Sequence, residues 1–197
     1  MIQSLFDRIV AAVALLLLSP LLLVLALLVR TTSRGPVIFR QQRVGRDGRL
    51  FEIYKFRTMT HTGETGSGQV SPAGDPRVTS VGRVLRAWYL DELPQLVNVV
   101  KGDMSLVGPR PETPEFVALY SEEERRVLTV RPGLAGPSTL GFMDESNQLA
   151  GVADPLEHYR SVLLHERVRL DLSYLDSRSF GNDLRLLLRQ VIAIARH

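Results

Sequence analysis

The sequence predicts a helix-dominated α+β protein with an N-terminal membrane helix, a small β-hairpin and several amphipathic or interfacial helices. Three observations predict this fold class: an uncharged apolar run over 9–29, two strand-like segments flanking a turn at 45–48, and apolar residues at helical spacing through most of the chain after residue 90. The length of 197 residues is enough for one globular domain and an appendage, but short for two full-sized domains.

The apolar run is predicted to meet lipid. As a straight helix its 21 residues would cover roughly 31 Å, which matches a hydrocarbon core of about 30 Å. Ser19-Pro20 lies at its centre, and proline removes a backbone donor and clashes with the preceding helical turn. Arg8 precedes the run while Arg30 and Arg34 follow it, so neither end is clearly external. The residues leave two arrangements open: a kinked span, and a broken helix that enters and leaves by one face.

A cluster of cations follows the apolar run. Seven basic residues lie in this part of the chain against two acidic ones, and they are Arg34, Arg40, Arg43, Arg46, Arg49, Lys55 and Arg57. Such a cluster suits the phosphates of anionic membrane lipids or of a substrate, and a solvated basic face is the plainer alternative. The net charge of +3 does not indicate nucleic-acid binding, and the lack of cysteine excludes disulfides and thiolate metal sites.

The β-hairpin is predicted directly after the apolar run. Residues 37–39 form a short apolar strand, 45–48 supply a glycine-bounded turn, and 50–54 form the second strand. Residues 60–75 are rich in glycine, serine and threonine, which predicts a mobile loop. Its glycines at positions 63, 66 and 68 lack the Gly-Lys-Ser/Thr ending of a phosphate-binding loop.

Helices are predicted for most of the remaining chain. One begins near Asp91, because four apolar residues over 93–100 lie on one helix face and Pro94 is tolerated only in a first turn. Four further helices are predicted. One opens at Thr113-Pro114 and one follows a capping box at Ser121 to Glu124. The other two span Leu156–Leu175 and Asp183–Ala195. The last helix is amphipathic, and either packs in the core or lies at the membrane interface.

Asp91 and Glu92 are the main candidates for chemistry. In a first helical turn they lie beside unpaired N–H groups, where carboxylates stay ionised and can hold a divalent cation. The plainer alternative is that Asp91 caps the helix. Arg86 upstream and the stiff turn Pro109-Arg110-Pro111 downstream supply guanidinium groups, which grip phosphate in bidentate fashion. Two carboxylates, several cations and a lipid anchor together favour phosphoryl transfer at a membrane.

Other reaction classes have little support in the sequence. The four histidines show no metal-ligand spacing, and His158 with His165 is predicted to form two polar positions on one helix face. The segment 136–141 lacks the glycine that a serine nucleophile elbow needs two residues after its serine. Serine hydrolysis is therefore not indicated.

Five motifs resemble those of one enzyme family. They are Tyr54-Lys55-Phe56-Arg57-Thr58-Met59, Leu90-Asp91-Glu92-Leu93-Pro94-Gln95-Leu96, Asn98-Val99-Val100-Lys101-Gly102-Asp103-Met104-Ser105, Val107-Gly108-Pro109-Arg110-Pro111 and Arg131-Pro132-Gly133. Nearly verbatim and in order, they resemble the bacterial sugar transferases, also called monotopic phosphoglycosyl transferases, over essentially the whole chain. The resemblance favours a broken re-entrant helix at Ser19-Pro20. It implies a membrane anchor over 1–30 and a catalytic domain over 31–197, at the cytosolic face of the bacterial inner membrane.

The resemblance also implies a two-step reaction. Asp91 attacks the β-phosphate of a UDP-sugar, releases UMP and holds the phospho-sugar covalently; polyprenyl (undecaprenyl) phosphate then collects it. This would be the first membrane step of a glycoconjugate pathway. Mg²⁺ is the expected cofactor, held by Asp91 and Glu92, and Glu92 would position the metal or assist proton removal.

The same resemblance assigns the binding residues. Lys55, Arg57 and Arg86 would hold phosphates, and Pro109-Arg110-Pro111 would form part of the uridine nucleotide site. One segment departs from the family: 136–142 replaces a Gln-Val-x-Gly-Arg stretch and lacks its arginine, so sugar recognition is expected to differ. The sugar, the prenyl length and the formation of a homo-oligomer are left open by the sequence.

Two other functions compete with this one. In the first, a membrane-tethered interaction protein binds anionic lipid through its basic segment, and the carboxylates are only helix caps. In the second, the enzyme class is the same, but the lipid phosphate attacks the UDP-sugar directly and no covalent intermediate forms.

Overall fold

The computed structural model describes residues 2–60 and 70–196, and helices dominate them. The helices are α1 (Ile2–Thr32), α2 (Ser80–Ala87), α3 (Leu96–Lys101), α4 (Pro114–Val117), α5 (Pro137–Gly141), α6 (Glu145–Gln148), α7 (Pro155–His158), α8 (Leu164–Asp176) and α9 (Phe180–Ala195). The strands are β1 (Ile38–Val44), β2 (Leu50–Phe56), β3 (Ser105–Val107) and β4 (Gly133–Ala135). The predicted mobile loop over 60–75 falls largely on 61–69, which lie outside the described residues.

Helix α1 is long and apolar enough to cross a membrane, with a mean hydropathy of 3.0. The predicted break at Ser19-Pro20 stays a prediction, and the residues around it are helical throughout. The physical reason is local: Pro20 has no N–H for the carbonyl of Leu16, four residues earlier, and the Ser19 hydroxyl donates to that carbonyl instead at 2.8 Å. The freed acceptor is thus satisfied without unwinding, and the re-entrant path stays a prediction.

One face of α1 packs along the rest of the protein. Ala11 in its first half joins a core cluster with Val99 and Met104, and Val29 in its second half joins another with Phe56 and Leu85. The opposite face is apolar and exposed, with Leu16 and Leu23 more than 70% accessible. That face has no protein partner among the described residues, so it is the surface that lipid would cover.

The predicted β-hairpin is confirmed. Strands β1 and β2 pair antiparallel from Ile38 opposite Phe56 to Val44 opposite Leu50. Asp47 and Gly48 take positive φ angles in the tight connection, which aspartate and glycine adopt more readily than most residues. Strand β2 ends beside the segment that holds the two candidate carboxylates.

The helix predicted to begin near Asp91 is confirmed, although its first part is narrower than an α-helix. Residues Leu90–Gln95 form a 3₁₀ helix, and α3 continues from it. Tyr89 precedes this helix in the left-handed region, at φ 54° and ψ 20°. Such a conformation is uncommon for a bulky residue, and it turns the chain sharply just before the carboxylates.

The other predicted helices are also found. Helix α4 opens at Thr113-Pro114, and Ser121 and Glu124 exchange the two hydrogen bonds of a capping box. The helix predicted over 156–175 is α7 and α8 joined by a π-helical turn at Tyr159–Leu163. The parallel pair β3–β4 was not predicted, because three-residue strands carry no periodicity.

Candidate active site

The two candidate carboxylates are buried at the start of the 3₁₀ helix. Asp91 is 8% exposed and Glu92 is 7% exposed. No side chain caps the amino end of this helix, and Tyr89 holds the cap position. The alternative in which Asp91 is only an N-cap is therefore wrong. A buried carboxylate without a capping role needs another explanation, since burial penalises its charge.

Glu92 is held by two cations. Its Oε1 accepts from Lys55 Nζ at 2.7 Å and from Arg110 Nη2 at 3.0 Å. Burial opposes ionisation of Glu92, but the charges of Arg110 and Lys55 and their hydrogen bonds outweigh it and lower the pKa of this carboxyl below its usual value. Glu92 is thus a fixed anion at the centre of the site.

Asp91 lies beside Glu92 in a different environment. Among the described residues, no hydrogen bond joins its carboxylate to another side chain. Burial raises the pKa of Asp91 from 3.8 to about 6, because the nearby charges of Lys55 and Arg86 only partly offset the desolvation and the repulsion from Glu92. Its oxygens therefore keep free lone pairs within a cationic field.

Arg86 lies on the Asp91 side of the site. Its Nε donates to Thr58 Oγ1 at 2.9 Å and its Nη1 donates to Ser71 Oγ at 2.9 Å. Both partners are neutral hydroxyls, so the guanidinium charge is not consumed by an ion pair in this contact. Arg86 can exchange these hydroxyls for phosphate oxygens, which bind a guanidinium more strongly.

The turn Pro109-Arg110-Pro111 closes the other side. Gly108 N donates to Ala135 O at 3.0 Å and Gly133 N donates to Pro109 O at 2.8 Å, so strand β4 supports the turn. A Cβ on Gly108 or Gly133 would come within 2.5 Å of the opposite backbone, which only glycine avoids. The tight approach fixes the place from which Arg110 reaches Glu92.

Arg57 is not brought to the carboxylates. Its guanidinium lies at the carboxyl end of α1, where it donates to Val29 O at 3.2 Å, to Ser33 O at 2.7 Å and to Pro36 O. These acceptors are orphan or turn carbonyls that follow a helix end. The structure thus separates Arg57 from Lys55, its neighbour two residues earlier on the same motif.

Two groups of residues around the site were missed by the sequence reasoning. Tyr89 donates its phenol proton to Met143 O at 2.7 Å, and burial raises its pKa to about 12, so the phenol stays neutral. Arg43 donates to Pro111 O at 3.2 Å and pairs with Glu112, which also accepts from the Tyr159 phenol at 2.8 Å. Arg43 was marked only as a member of the basic cluster. The contacts of these residues carry no local pattern, because their partners lie 54, 69 and 47 positions away.

The residues present fit a magnesium ion that substrate completes. No group of three or more histidine, cysteine, aspartate or glutamate side chains suited to a metal occurs in the described ranges 2–60 and 70–196. Mg²⁺ is usually held by one or two carboxylates together with water and substrate phosphates. Asp91 and the second oxygen of Glu92 provide such a pair, and a diphosphate would supply the remaining ligands.

Comparison with known proteins identifies the family of this chain. The sequence model of the bacterial sugar transferases matches residues 1–197. A UDP-glucose:undecaprenyl-phosphate glucose-1-phosphate transferase of Caulobacter vibrioides is 40% identical over 193 residues, which cover 96% of this chain and 68% of that protein. The exopolysaccharide production protein ExoY of Rhizobium meliloti is 36% identical over 204 residues, which cover 96% of this chain and 83% of the relative.

A third relative is matched over a shorter stretch. A UDP-N-acetylgalactosamine-undecaprenyl-phosphate N-acetylgalactosaminephosphotransferase of Aeromonas hydrophila is 48% identical over 133 residues, which cover 66% of this chain and 31% of that protein. The chain thus spans about a third of the Aeromonas protein and larger shares of the other two. The family model covers every element that builds the site, from β2 to α8. The chain belongs to the bacterial sugar transferase family.

Proposed function

We propose that the protein transfers a phospho-sugar from a UDP-sugar to polyprenyl phosphate, through a covalent intermediate on Asp91. The observation that carries this proposal is the contrast between the two buried carboxylates. One oxygen of Glu92 accepts from both Lys55 and Arg110, whereas the carboxylate of Asp91 accepts from no described side chain in the same cationic field. A carboxylate that is held by two cations is a weaker nucleophile than one that is not, so Asp91 fits this role better than Glu92.

The first step breaks the bond between the two phosphates of the UDP-sugar. An Asp91 oxygen attacks the β-phosphorus, the oxygen bridging to the α-phosphorus leaves with UMP, and the sugar phosphate becomes esterified to Asp91. Lys55, Arg86 and Arg110 surround this place with positive charge that is fixed before the reaction begins. Such charge stabilises the oxygens on which negative charge develops.

The second step regenerates the carboxylate. An oxygen of the lipid phosphate attacks the same phosphorus, the acyl phosphate bond breaks, and polyprenyl-diphosphate-sugar leaves. Both nucleophiles are already ionised, so neither step requires removal of a proton from them. Bound Mg²⁺, held by Asp91 and Glu92, would neutralise the diphosphate and act as a Lewis acid.

The packing of α1 supports a monotopic anchor, and we propose that this anchor lies at the cytosolic face. Near its first end Asp7 accepts from Ser105 Oγ and Arg8 donates to Lys101 O at 3.2 Å, while near its second end Arg57 binds the helix carbonyls. Both ends are therefore attached to the same domain. A helix that crossed the bilayer would carry its ends to opposite surfaces about 30 Å apart.

Mass spectrometry of the intact protein tests the proposal. The protein is mixed with UDP-sugars and Mg²⁺ without lipid, and the expected result is a mass increase of one sugar phosphate together with UMP release. Asp91→Asn should give neither product, while Glu92→Gln should still form the adduct. UMP release that occurs only after polyprenyl phosphate is added, with no adduct at any time, would favour direct attack by the lipid instead.

A further inference from the structure

Another buried carboxylate contacts the turn that carries Arg110. Asp171, on α8, is 3% exposed. Its Oδ2 accepts from the backbone N–H of Arg110 at 3.1 Å and from the Ser138 hydroxyl at 2.8 Å. Its Oδ1 accepts from the backbone N–H of Ser138 at 3.2 Å. One side chain thus joins the Arg110 turn, the start of α5 and α8.

The N–H of Arg110 is the one backbone donor that the turn itself offers. Pro109 and Pro111 on either side have no N–H, and the neighbouring Gly108 N–H already pairs with β4. Without Asp171 this partly buried donor would lose its protein acceptor, and an unsatisfied donor costs more than an ordinary lost hydrogen bond. The peptide between Pro109 and Arg110 would then be free to rotate toward another acceptor.

The backbone around this contact has little room to move. A Cβ on Gly136 would come within 2.3 Å of Gly108 O and 3.9 Å of Asp171 Oδ1. The end of β4 therefore lies against the turn with no space for a side chain. In this setting the direction of the Arg110 peptide is set on one side by β4 and on the other by Asp171.

The guanidinium of Arg110, at the far end of its side chain, is the group that lies in the candidate site. Its guanidinium donates to Glu92 Oε1, which also binds Lys55, so a rotation of the Arg110 backbone would move the whole group of charges. Guanidinium recognition of carboxylate and phosphate depends on direction as well as on charge. A displacement of about 1 Å in a positioned group can cost a hundredfold in rate.

We propose that Asp171 is a positioning residue for phosphoryl transfer, which holds the Arg110 peptide so that the guanidinium meets Glu92 and a substrate phosphate. The predicted effect on rate rests on the proposed function. The predicted effect on UMP affinity can be measured without turnover. Asp171 touches neither substrate nor the reacting atoms. Its effect passes through Arg110, and Ser138 fixes the orientation of its carboxylate.

A double-mutant cycle tests the inference. Asp171→Asn keeps the side-chain volume but replaces one acceptor oxygen by an amide N–H₂ group, which faces a donor of Arg110 or Ser138. We therefore expect kcat/KM for UDP-sugar and the affinity for UMP to fall about tenfold each. Arg110→Gln removes the guanidinium and keeps the backbone N–H. In the Arg110→Gln background, Asp171→Asn should change neither quantity by more than about twofold, because coupled residues are not additive.

Ser138→Ala provides a milder variant that should fold even if Asp171→Asn does not. It removes one of the three donors and should lower UMP affinity by about threefold, again only when Arg110 is present. An equal loss in both backgrounds, accompanied by a matching fall in melting temperature, would show that Asp171 is merely structural. If the wild-type protein binds UMP but releases none from any UDP-sugar, the proposed function fails, and the UMP cycle still decides the role of Asp171.

Discussion

Asp91 and Glu92 are adjacent in the chain and almost equally buried, yet they have opposite electrostatic environments. Glu92 is bound by Lys55 and Arg110, and its pKa is lowered. Asp91 has no such partner among the described residues, and its pKa is raised to about 6. The difference arises because Lys55 and Arg110 form hydrogen bonds with Glu92, whereas Lys55 and Arg86 act on Asp91 only through their charge.

This difference shows how two carboxylates can share one site without sharing a task. A carboxylate whose lone pairs are occupied by cations is a weak nucleophile and a good fixed charge. A carboxylate that is desolvated and unpaired is the more reactive of the two, provided that it is ionised. The pairing with cations, rather than burial, separates the two roles.

The largest expected effect comes from removing the carboxylates one at a time. Asp91→Asn should lower kcat by at least about 10³-fold, because the nucleophile is lost. Glu92→Gln should lower it by about 10²-fold, because a charged partner of Lys55 and Arg110 is lost but the nucleophile remains. Steady-state UMP release measures both. Equal losses with no adduct in either variant would contradict the division of roles.

The next effect concerns Lys55, the cation that binds Glu92 and acts on Asp91 through its charge. Lys55→Met removes a positive charge that favours ionisation of both Asp91 and Glu92, so kcat/KM should fall about 10²-fold and the remaining activity should need a higher pH. Tyr54→Phe is a matched control on the same strand, since its hydroxyl meets Lys101 away from the site. A pH profile that does not move in Lys55→Met would show that Lys55 does not set the charge of Asp91.

Acid should remove activity through Asp91 in the wild-type protein. A carboxyl with a pKa of about 6 is only about one tenth ionised at pH 5, so single-turnover UMP release should fall about tenfold between pH 7 and pH 5. The contribution of Asp91 to the free energy of unfolding has the opposite pH dependence. The folded protein favours protonated Asp91, because its pKa is raised on folding. This contribution is fully present below pH 3.8 and is lost as the pH rises through about 6. Circular dichroism over the same range separates loss of activity from unfolding.

The smallest expected effect on catalysis distinguishes two arginines. Arg86→Lys should lower kcat/KM about tenfold, since a lysine cannot present the same fork to a phosphate. Arg57→Lys should change kcat/KM by less than about threefold but should lower the melting temperature by a few degrees, because several carbonyls at the end of α1 lose donors. The two measurements are made on protein in the same lipid. The reverse pattern would place Arg57 on the substrate.

Much of the fold could be predicted because its signals are local. The hairpin turn, the capping box at Ser121 and the long amphipathic helices depend on residues within a few positions of each other. The hydrogen bond that satisfies the carbonyl of Leu16 next to Pro20 could not be predicted, because it depends on the rotamer of Ser19. The pair β3–β4 could not be predicted either, since backbone contacts rather than side-chain periodicity hold it.

Several residues of the candidate site could be predicted from the sequence, but the contacts between them could not. Motifs marked Lys55, Arg86 and Arg110, and the structure brings all three around Asp91 and Glu92. The same motif marked Arg57, which the structure places at the end of α1. Tyr89 and Asp171 carry no local signal, because their partners lie 54, 61 and 33 residues away and only folding brings them together.

The carboxyl end of strand β2 makes two contacts of different kinds, one through Lys55 and one through Arg57, which directly follows the strand. The Lys55 side chain binds Glu92, beside the proposed nucleophile, and the Arg57 side chain binds carbonyls at the end of α1. A displacement of the anchor, as when detergent replaces lipid, would therefore pull on the strand that supplies a reacting-site cation. The surrounding membrane thus acts as a mechanical support for the chemistry, and losing it should reduce turnover before the domain unfolds.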